Sequence, residues 1–291
     1  MKDKRKISHS QNFIRNNSLV NELLSMTNIS SKDLVIEIGP GNGIITTELL
    51  GHAGKVIAIE RDTYLAKELI KSNKDNQLEV IQGNFLVWEL PTKRYKVFSN
   101  IPFNYTADIV NKLISADVAP EDMFLIMQEA AAHRFIGLPF TRNSLTSILL
   151  SVDFSVNILR KIDQNNFAPK PNVTITFVHF HKKDKSYLEI AQIPESEEQL
   201  FRDFIVFGYT QWAPTILKAY EDVFSRKQLS IISNSQKLKG LKPTDLDIDQ
   251  WASLYKTFSR YAKPEKQQIV MGSEKRLINQ QDKLDKINRT K

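Results

Sequence analysis

The stretch "SNIPFNYT" at 99–106 places an Asn, a Pro and an aromatic residue directly after a short apolar run. Asn100 offers a side-chain carbonyl, and Phe103 offers a ring. Ile101 offers a backbone carbonyl that Pro102 would hold rigid. Two acceptors aimed at the two hydrogens of an aromatic amine would favour a pyramidal, nucleophilic nitrogen, and the ring would stack on its base. The alternative is a Pro turn that only ends a strand.

A second candidate site is "EIGPGNG" at 37–43, between an apolar run and a helical pattern. Glycines in such a turn let the backbone approach a ligand, while helix N–H groups point into the same space. Gly39, Gly41 and Gly43 alternate, and Ile44 stands where a dinucleotide fingerprint needs its third Gly. The spacing disfavours NAD and favours S-adenosylmethionine, which has an adenosine ribose and no phosphate. A tight turn without a ligand is the alternative.

Two further side chains follow the next apolar runs. Glu60 lies about 20 residues beyond the Gly-rich turn, where a carboxylate can accept hydrogen bonds from both ribose hydroxyls. The oxygen of Asn84 could accept from an adenine amine, and Phe85 could pack on the ring. An Asn in a turn is also ordinary.

The apolar runs alternate with helical patterns from about residue 30 to 180, which is typical of a parallel α/β sheet. The predicted strands are 34–39, 55–60, 78–82, 95–100 and 123–128. Residues 173–180 alternate like a strand of an antiparallel pair, with 154–162 as the partner. Ligands of open α/β sheets bind at the carboxyl ends of the strands, where these candidate residues lie. We therefore predict a Rossmann-like α/β fold.

Patterning changes after residue 184, and we predict three segments. Residues 1–184 form an α/β domain that carries the candidate sites, and residues 185–263 form a smaller, all-helical domain. Residues 264–291 are polar and charged and are expected to form a mobile tail or a marginal terminal helix.

Composition narrows the classes of function. The chain has 291 residues, a formal net charge of +7 and no Cys, which excludes disulfides, thiol catalysis and Cys-based zinc sites. The charge makes a polyanion partner plausible. His179 and His181 share a face of a predicted strand, but we interpret them as surface positions and expect no metal. No apolar run reaches the length of a membrane span, so we expect a soluble, cytoplasmic protein and, by default, a monomer.

In order and spacing, "SQNF" (10–13), "EIGPGNG", Glu60, "NIPF" (100–103) and "FAPKPNV" (167–173) resemble the rRNA adenine-N6 dimethyltransferases. That family comprises the Erm enzymes of macrolide resistance and the KsgA-type enzymes of ribosome biogenesis. The resemblance implies a class I S-adenosylmethionine-dependent fold. It covers most of the chain, and it implies that the domain at 1–184 is catalytic and that the helical domain at 185–263 binds RNA.

The resemblance also implies roles for individual residues. Cofactor contacts fall on Asn12, Ile14, Gly39, Gly41, Glu60, Asn84 and Asn100. Base-holding and catalytic roles fall on Asn100, Ile101, Pro102, Phe103 and Phe167. On its own, Phe167 would be interpreted as a core anchor. Asn84 stands where the family usually has Asp, and Ile175 where many members have Ser.

"SQNF" and "NIPF" look more like the Erm enzymes than the KsgA type, so the implied partner is 23S rRNA, protein-free or as precursor. Enzymes of this group act on an adenosine that is out of the stack. Lys2, Lys4, Arg5 and Lys6 could grip phosphates near the site, or only solubilise the chain. A KsgA-type enzyme, an RNA-binding assembly factor, a DNA-binding transcription factor and a DNA adenine methyltransferase stay open. The sequence leaves mono- and dimethylation undecided.

Overall fold

The structure of the chain is a computed structural model that describes residues 12–73 and 76–289. The chain divides into two compact units. The first comprises the chain up to His133 together with Phe154–Lys182, and the second comprises Arg134–Asp153 together with the chain from Lys183. The predicted basic arm at Lys2, Lys4, Arg5 and Lys6 lies outside the described residues.

A seven-stranded sheet is the centre of the first unit, in the order β4-β3-β2-β5-β6-β9-β7. Its strands are β2 (Leu34–Ile38), β3 (Lys55–Glu60), β4 (Leu78–Gln82), β5 (Lys96–Asn100), β6 (Asp122–Gln128), β7 (Phe154–Ile162) and β9 (Ile175–Lys182). Strands β2 to β6 run parallel, whereas β9 pairs antiparallel with both β6 and β7. Two short strands, β1 (Phe13–Ile14) and β8 (Phe167–Ala168), form a separate antiparallel pair.

The predicted strands are confirmed, with shifts of one or two residues at some ends. Every residue of β2 is buried, and so are the first four of β5. This is the pattern of parallel strands that are covered on both faces. The α/β fold class and the antiparallel end of the sheet are confirmed as well.

Three helices connect parallel strands: α2 (Ile44–Leu50) lies between β2 and β3, α3 (Thr63–Ser72) between β3 and β4, and α4 (Thr106–Ile114) between β5 and β6. Helix α1 (Asn17–Ser25) precedes β2, and α5 (Glu129–Ile136) follows β6. The side chain of Asn16 caps α1 by accepting from Leu19 N, and Asp62 caps α3 in the same way. Apolar residues of α1 and α2 join those of the sheet in one core cluster.

The second unit is helical. Its helices are α6 (Leu145–Asp153), α7 (Tyr187–Ile190), α8 (Glu198–Thr210), α9 (Ile216–Ala219), α10 (Arg226–Ser235), α11 (Ile248–Tyr261), α12 (Pro264–Val270) and α13 (Ser273–Arg289). Phe204 of α8 and Trp251 of α11 are fully buried in its core, with ring centroids 6.2 Å apart. The helical character expected of residues 185–263 is therefore present.

Two segments differ from the predicted domain plan. Residues 134–153 group with the second unit, because Ile148 and Val152 of α6 are buried in the same apolar cluster as Phe204. Residues 264–289, expected as a tail or a marginal helix, form α12 and α13.

The start of α13 is attached to α8 by charged groups. The Arg202 guanidinium donates two hydrogen bonds to Glu274, from Nη2 to Oε1 at 2.6 Å and from Nε to Oε2 at 3.0 Å. The buried carboxylate of Asp203 accepts from the backbone N–H groups of Gly272 at 2.7 Å and Glu274 at 2.9 Å. These bonds satisfy backbone donors that the first turn of a helix leaves unpaired.

Along residues 12–73 and 76–289, none of the helices combines the length and the apolar character needed to cross a membrane.

Candidate active site

The Gly-rich turn follows β2 and leads into α2. Gly39, Gly41 and Gly43 all have positive φ angles, a conformation that other residues rarely adopt. At Gly41 the space is also closed, because an added Cβ would lie 2.5 Å from Cε1 of Phe13. A larger residue at Gly41 would therefore displace the ring of Phe13 as well as strain the turn.

Glu60 ends β3 beside this turn, and it is 1% exposed. Its Oε2 accepts from the backbone N–H of Gly41 at 3.0 Å, and its Oε1 accepts from Asp62 N at 2.8 Å. A carboxylate has about four acceptor positions, so about two remain for a ligand. The carboxylate thus links the Gly-rich turn to the end of β3, and its ribose-binding role stays a prediction.

Glu37 is a buried acid to which sequence reasoning gave no role. It is 1% exposed, and Thr46 Oγ1 donates to its Oε2 at 2.6 Å. Burial raises the pKa of Glu37 to about 8; the hydrogen bond from Thr46 opposes that rise, and the charge of Glu60 adds to it. The signal in the sequence was an acid inside an apolar strand, "LVIEIG".

Asn84 lies in the turn after β4, as predicted, and it is exposed. Its Oδ1 accepts from Leu86 N at 3.1 Å and so caps the 3-10 helix Phe85–Val87. The ring of Phe85 is buried, with the ammonium of Lys112 over it at 5.2 Å. The capping bond accounts for one of the acceptor positions of Asn84, and the other is available.

Lys112 of α4 supports this turn and was missed by sequence reasoning. Its Nζ donates to the backbone carbonyls of Phe85 at 2.8 Å, Leu86 at 3.0 Å and Trp88. Burial lowers the pKa of Lys112. The ammonium fixes the path of the chain directly after Asn84.

Asn100 ends β5 at the same edge of the sheet. Its Nδ2 donates to the backbone carbonyl of Asn12 at 2.8 Å. Its Oδ1 is buried and, among the described residues, has no hydrogen-bond partner. Buried carbonyl oxygens are normally hydrogen-bonded, so this oxygen is an acceptor that is available to a ligand.

The turn after Asn100 brings the rest of "NIPF" to the same place. Ile101 is buried, and its N–H donates to the carbonyl of Ile126 on β6. Phe103 is half-buried against the core of the first unit. Two adjoining clefts share Phe13, Gly39 and Asn100; their other walls include Asn12, Ile14, Pro40, Asn42, Ile44, Ile45, Ile101, Pro102 and Phe103.

The pairing of β1 with β8 places Phe167 opposite Ile14. Phe167 is 4% exposed and belongs to the same core cluster as Ile14. These contacts match the core-anchor interpretation of Phe167, and its base-holding role stays a prediction. Ile175, which the sequence analysis noted as a departure from the family pattern, is also fully buried.

His179 and His181 were interpreted from the sequence as surface positions. In the structure both also contact a buried carboxylate. His179 Nε2 lies 2.7 Å and His181 Nδ1 lies 2.8 Å from Oδ1 of the buried Asp122. Both imidazoles are therefore hydrogen-bonded to a buried carboxylate, and neither lines the two clefts beside Asn100.

The sheet, the Gly-rich turn, the buried acid at the end of β3 and the acceptor at the end of β5 are the features of a class I S-adenosylmethionine-dependent methyltransferase. Residues 2–260 match the family described as ribosomal RNA adenine dimethylase. The chain belongs to this ribosomal RNA adenine dimethylase family, so the resemblance noted in the sequence is confirmed.

Individual relatives agree with this membership. An rRNA adenine N-6-methyltransferase of Limosilactobacillus reuteri is 31% identical, over 89% of this chain and 100% of that protein. Ribosomal RNA small subunit methyltransferase A of Crocosphaera subtropica is 27% identical, over 86% of this chain and 97% of that protein. Among solved structures, the 23S rRNA methyltransferase ErmE has a TM-score of 0.75 at 21% identity, over 86% of this chain and 100% of that chain.

Proposed function

We propose that this methyltransferase modifies N6 of an unpaired adenosine in 23S rRNA and thereby confers resistance to macrolides, lincosamides and streptogramin B. Adenine-N6 methylation of ribosomal RNA is the activity of its family. The observation that carries the catalytic part of the proposal is the buried, unpartnered Oδ1 of Asn100 at the end of β5.

Asn100 would act on the amine of the target base. The lone pair of an adenine amine is delocalised into the ring, so the free amine is a poor nucleophile. Since Nδ2 of Asn100 is already bonded to Asn12, the carboxamide is oriented with Oδ1 as its available group. An amine hydrogen bonded to that oxygen leaves the nitrogen more pyramidal and its lone pair more available.

Ile101 and Phe103 complete the base pocket. The backbone carbonyl of Ile101, next to Pro102, would accept the second amine hydrogen, and the half-buried ring of Phe103 would stack on the base. Stacking of this kind contributes roughly 1–3 kcal/mol per base. The proton lost from the methylated amine is acidic enough to pass to solvent, so a neutral Asn suffices and positioning supplies most of the rate.

The residues at this edge of the sheet suit S-adenosylmethionine, which when bound supplies an electrophilic methyl group. Glu60 would accept from two ribose hydroxyls with its remaining acceptor positions, and the positive φ of Gly41 gives the turn a path that a residue with a side chain would strain. Asn84 would accept from the adenine amine of the cofactor with its remaining acceptor position. Asn12 and Ile14 would complete the cofactor contacts from the β1 side of the cleft.

The choice of 23S rRNA rests on sequence features. "SQNF" and "NIPF" are closer to the Erm type than to the KsgA type. Small-subunit rRNA is the second candidate, because the match to the small-subunit enzyme of Crocosphaera subtropica covers nearly as much of the chain as the matches to the other relatives.

The experiment is a methylation assay with radiolabelled S-adenosylmethionine. The substrates are protein-free 23S rRNA, 16S rRNA and immature 30S particles, each digested to nucleosides after reaction. We expect label in N6-methylated adenosine from 23S rRNA only. Label confined to the small-subunit substrates would contradict the proposed resistance function and indicate an enzyme of ribosome biogenesis. Absence of label from every substrate, with RNA binding retained, would instead favour an RNA-binding assembly factor.

A further inference from the structure

A group of one carboxylate and two imidazoles lies on one face of the sheet, outside the candidate active site. Asp122 begins β6, and the register pairs it with His181 of β9 and pairs Phe124 with His179. Because alternate residues of a strand share a face, Asp122 and both imidazoles project to the same side.

Their donor atoms converge. Oδ1 of Asp122 lies 2.7 Å from His179 Nε2 and 2.8 Å from His181 Nδ1, and the three atoms lie within 4.8 Å of one another. Across residues 12–73 and 76–289, this is the single group of three His or acidic residues close enough to share one ion.

Supporting bonds orient the carboxylate. The Asp122 side chain is 3% exposed, and its Oδ2 accepts from Asn28 Nδ2 at 2.9 Å. The backbone carbonyl of Asn28 accepts in turn from Lys96 Nζ, whose charge is paired with Asp33 at 3.1 Å. Oδ2 is thus occupied, and Oδ1 faces the two imidazoles.

The imidazoles differ in exposure. The ring of His179 is stacked on Phe124, with centroids 4.4 Å apart and planes 12° apart. The side chain of His181 is 43% exposed. An ion would therefore reach the group from the side of His181.

We propose that Asp122, His179 and His181 form a binding site for a borderline divalent cation, with Zn²⁺ as the probe. Two imidazole nitrogens and one carboxylate oxygen suit Zn²⁺ and Co²⁺. Ca²⁺ and Mg²⁺ require mainly oxygen ligands, and this group offers one carboxylate oxygen. The bond from Asn28 to Oδ2 is the kind of outer contact that orients ligating carboxylates.

Binding requires a small rearrangement. In the bound form, Nε2 of His179 and Nδ1 of His181 would each present a lone pair to the ion, with the ring proton on the other nitrogen. Tetrahedral bonds of about 2.0–2.1 Å would separate the ligand atoms by roughly 3.3 Å, an opening of about half an ångström from the present distances. Solvent would occupy the remaining position.

A bound cation would link β6 to β9, because Asp122 lies on β6 and both imidazoles lie on β9. Asp122 starts β6, whereas Asn100 pairs with Ile126 further along the same strand direction, at the carboxyl ends of the parallel strands. The cation is therefore removed from the methyl-transfer site, and we expect it to change stability. This inference is independent of the RNA substrate.

The test uses the full-length protein without an affinity tag. The double variant His179→Gln/His181→Asn keeps an N–H donor at each position that bonds Asp122, but it lacks both imidazole ligands. His52→Gln removes an exposed imidazole elsewhere and is the matched control. Calorimetric titration with Zn²⁺ is paired with visible absorption of bound Co²⁺ and with thermal unfolding.

We expect one Zn²⁺ per wild-type chain, the same in the His52→Gln control, and at least tenfold weaker binding in the double variant. Zn²⁺ should raise the melting temperature of the wild type and not of the double variant. Equal binding by wild type and double variant, or no binding by wild type, would overturn the site. If the double variant does not fold, His181→Asn alone is read by the same criteria.

Discussion

The two polar atoms of the Asn100 side chain differ in their hydrogen bonding. The Nδ2 group is held by Asn12, and the buried Oδ1 is unpartnered among the described residues. Burial of an unpaired acceptor is costly to folding, and a substrate amine would supply the missing partner. The arrangement therefore favours catalysis over a purely structural role for this Asn.

We predict that Asn100→Ala lowers the rate of methyl transfer by roughly 10²–10³-fold, the range seen when one preorganised hydrogen-bonding group is removed from an active site. RNA binding should stay nearly unchanged, because the lost group contacts one atom of the target base. Steady-state assays and filter binding measure the two quantities. Asn111→Ala, at an exposed position of α4, is the control. Near-normal turnover by Asn100→Ala would contradict the proposed mechanism.

Glu37 makes stability depend on pH. Its pKa rises from 4.5 to about 8 in the folded chain, so the folded state binds more protons than the unfolded state between these values. Stability from this group is therefore fully present below about pH 4.5 and is lost as the pH rises through about 8.

We predict that Glu37→Gln removes this component, because Gln keeps the shape of a protonated Glu and cannot ionise. The free energy of unfolding of the wild type, relative to that of the variant, should fall between about pH 5 and pH 8. Denaturant unfolding at several pH values measures it. Parallel curves for the two proteins would show that Glu37 titrates normally.

At the scale of elements, α4 supports the turn that carries Asn84. The ammonium of Lys112 is shared by three backbone carbonyls of residues 85–88. Without it those carbonyls would lose their charged donor, and the turn would gain freedom next to the proposed cofactor pocket.

We predict that Lys112→Met weakens S-adenosylmethionine binding several-fold, as measured by calorimetry, while kcat at saturating cofactor changes little. Met keeps most of the length of the side chain and removes only the ammonium. Lys67→Met, at an exposed position of α3, controls for loss of one positive charge. A normal dissociation constant for Lys112→Met would mean that the turn holds its shape without this lysine.

The contact of α13 with α8 is also made by charged groups. Arg202 and Glu274 have side chains that are 27% and 17% exposed, so their attraction is less screened than that of a surface pair. Residues that look like a polar tail in the sequence are thereby bound to the second unit.

We predict that Glu274→Ala lowers the melting temperature by at least about 2 °C, the shift that roughly 1 kcal/mol produces in a protein of this size. The cause is an Arg202 guanidinium left without its partner. Glu265→Ala, at a mostly exposed position of α12, should change the melting temperature by less. Equal shifts for the two variants in differential scanning calorimetry would show that α13 is held mainly by other contacts.

At the scale of the whole molecule, the net charge of +7 acts on RNA through its phosphates. Lys and Arg side chains that neutralise phosphates release counterions, so affinity falls linearly with the logarithm of salt concentration. This term supplies binding without sequence preference, whereas the proposed base pocket at Asn100 would select the adenosine.

We predict that affinity for protein-free 23S rRNA falls at least tenfold between about 50 and 200 mM salt, which corresponds to two or three neutralised phosphates. Filter binding across the salt series measures the slope. A flat response would mean that recognition depends on stacking and hydrogen bonds rather than on charge.

The sequence by itself determined the sheet and the position of the active-site residues along it. Apolar strands that alternate with helices leave few topologies, and the carboxyl ends of parallel strands lie at one edge. For this reason the strand pattern alone predicts that Gly41, Glu60, Asn84 and Asn100 lie near one another.

Only the tertiary structure decided which side chains meet across the chain. Three features depend on burial and on partners that are distant in sequence. They are the raised pKa of Glu37, the bonds of Lys112 to three backbone carbonyls, and the group around Asp122. The assignment of residues 134–153 to the second unit has the same cause. An amphipathic helix shows that one face must be buried, but the pattern does not say against which neighbour, because hydrophobic burial is not directional.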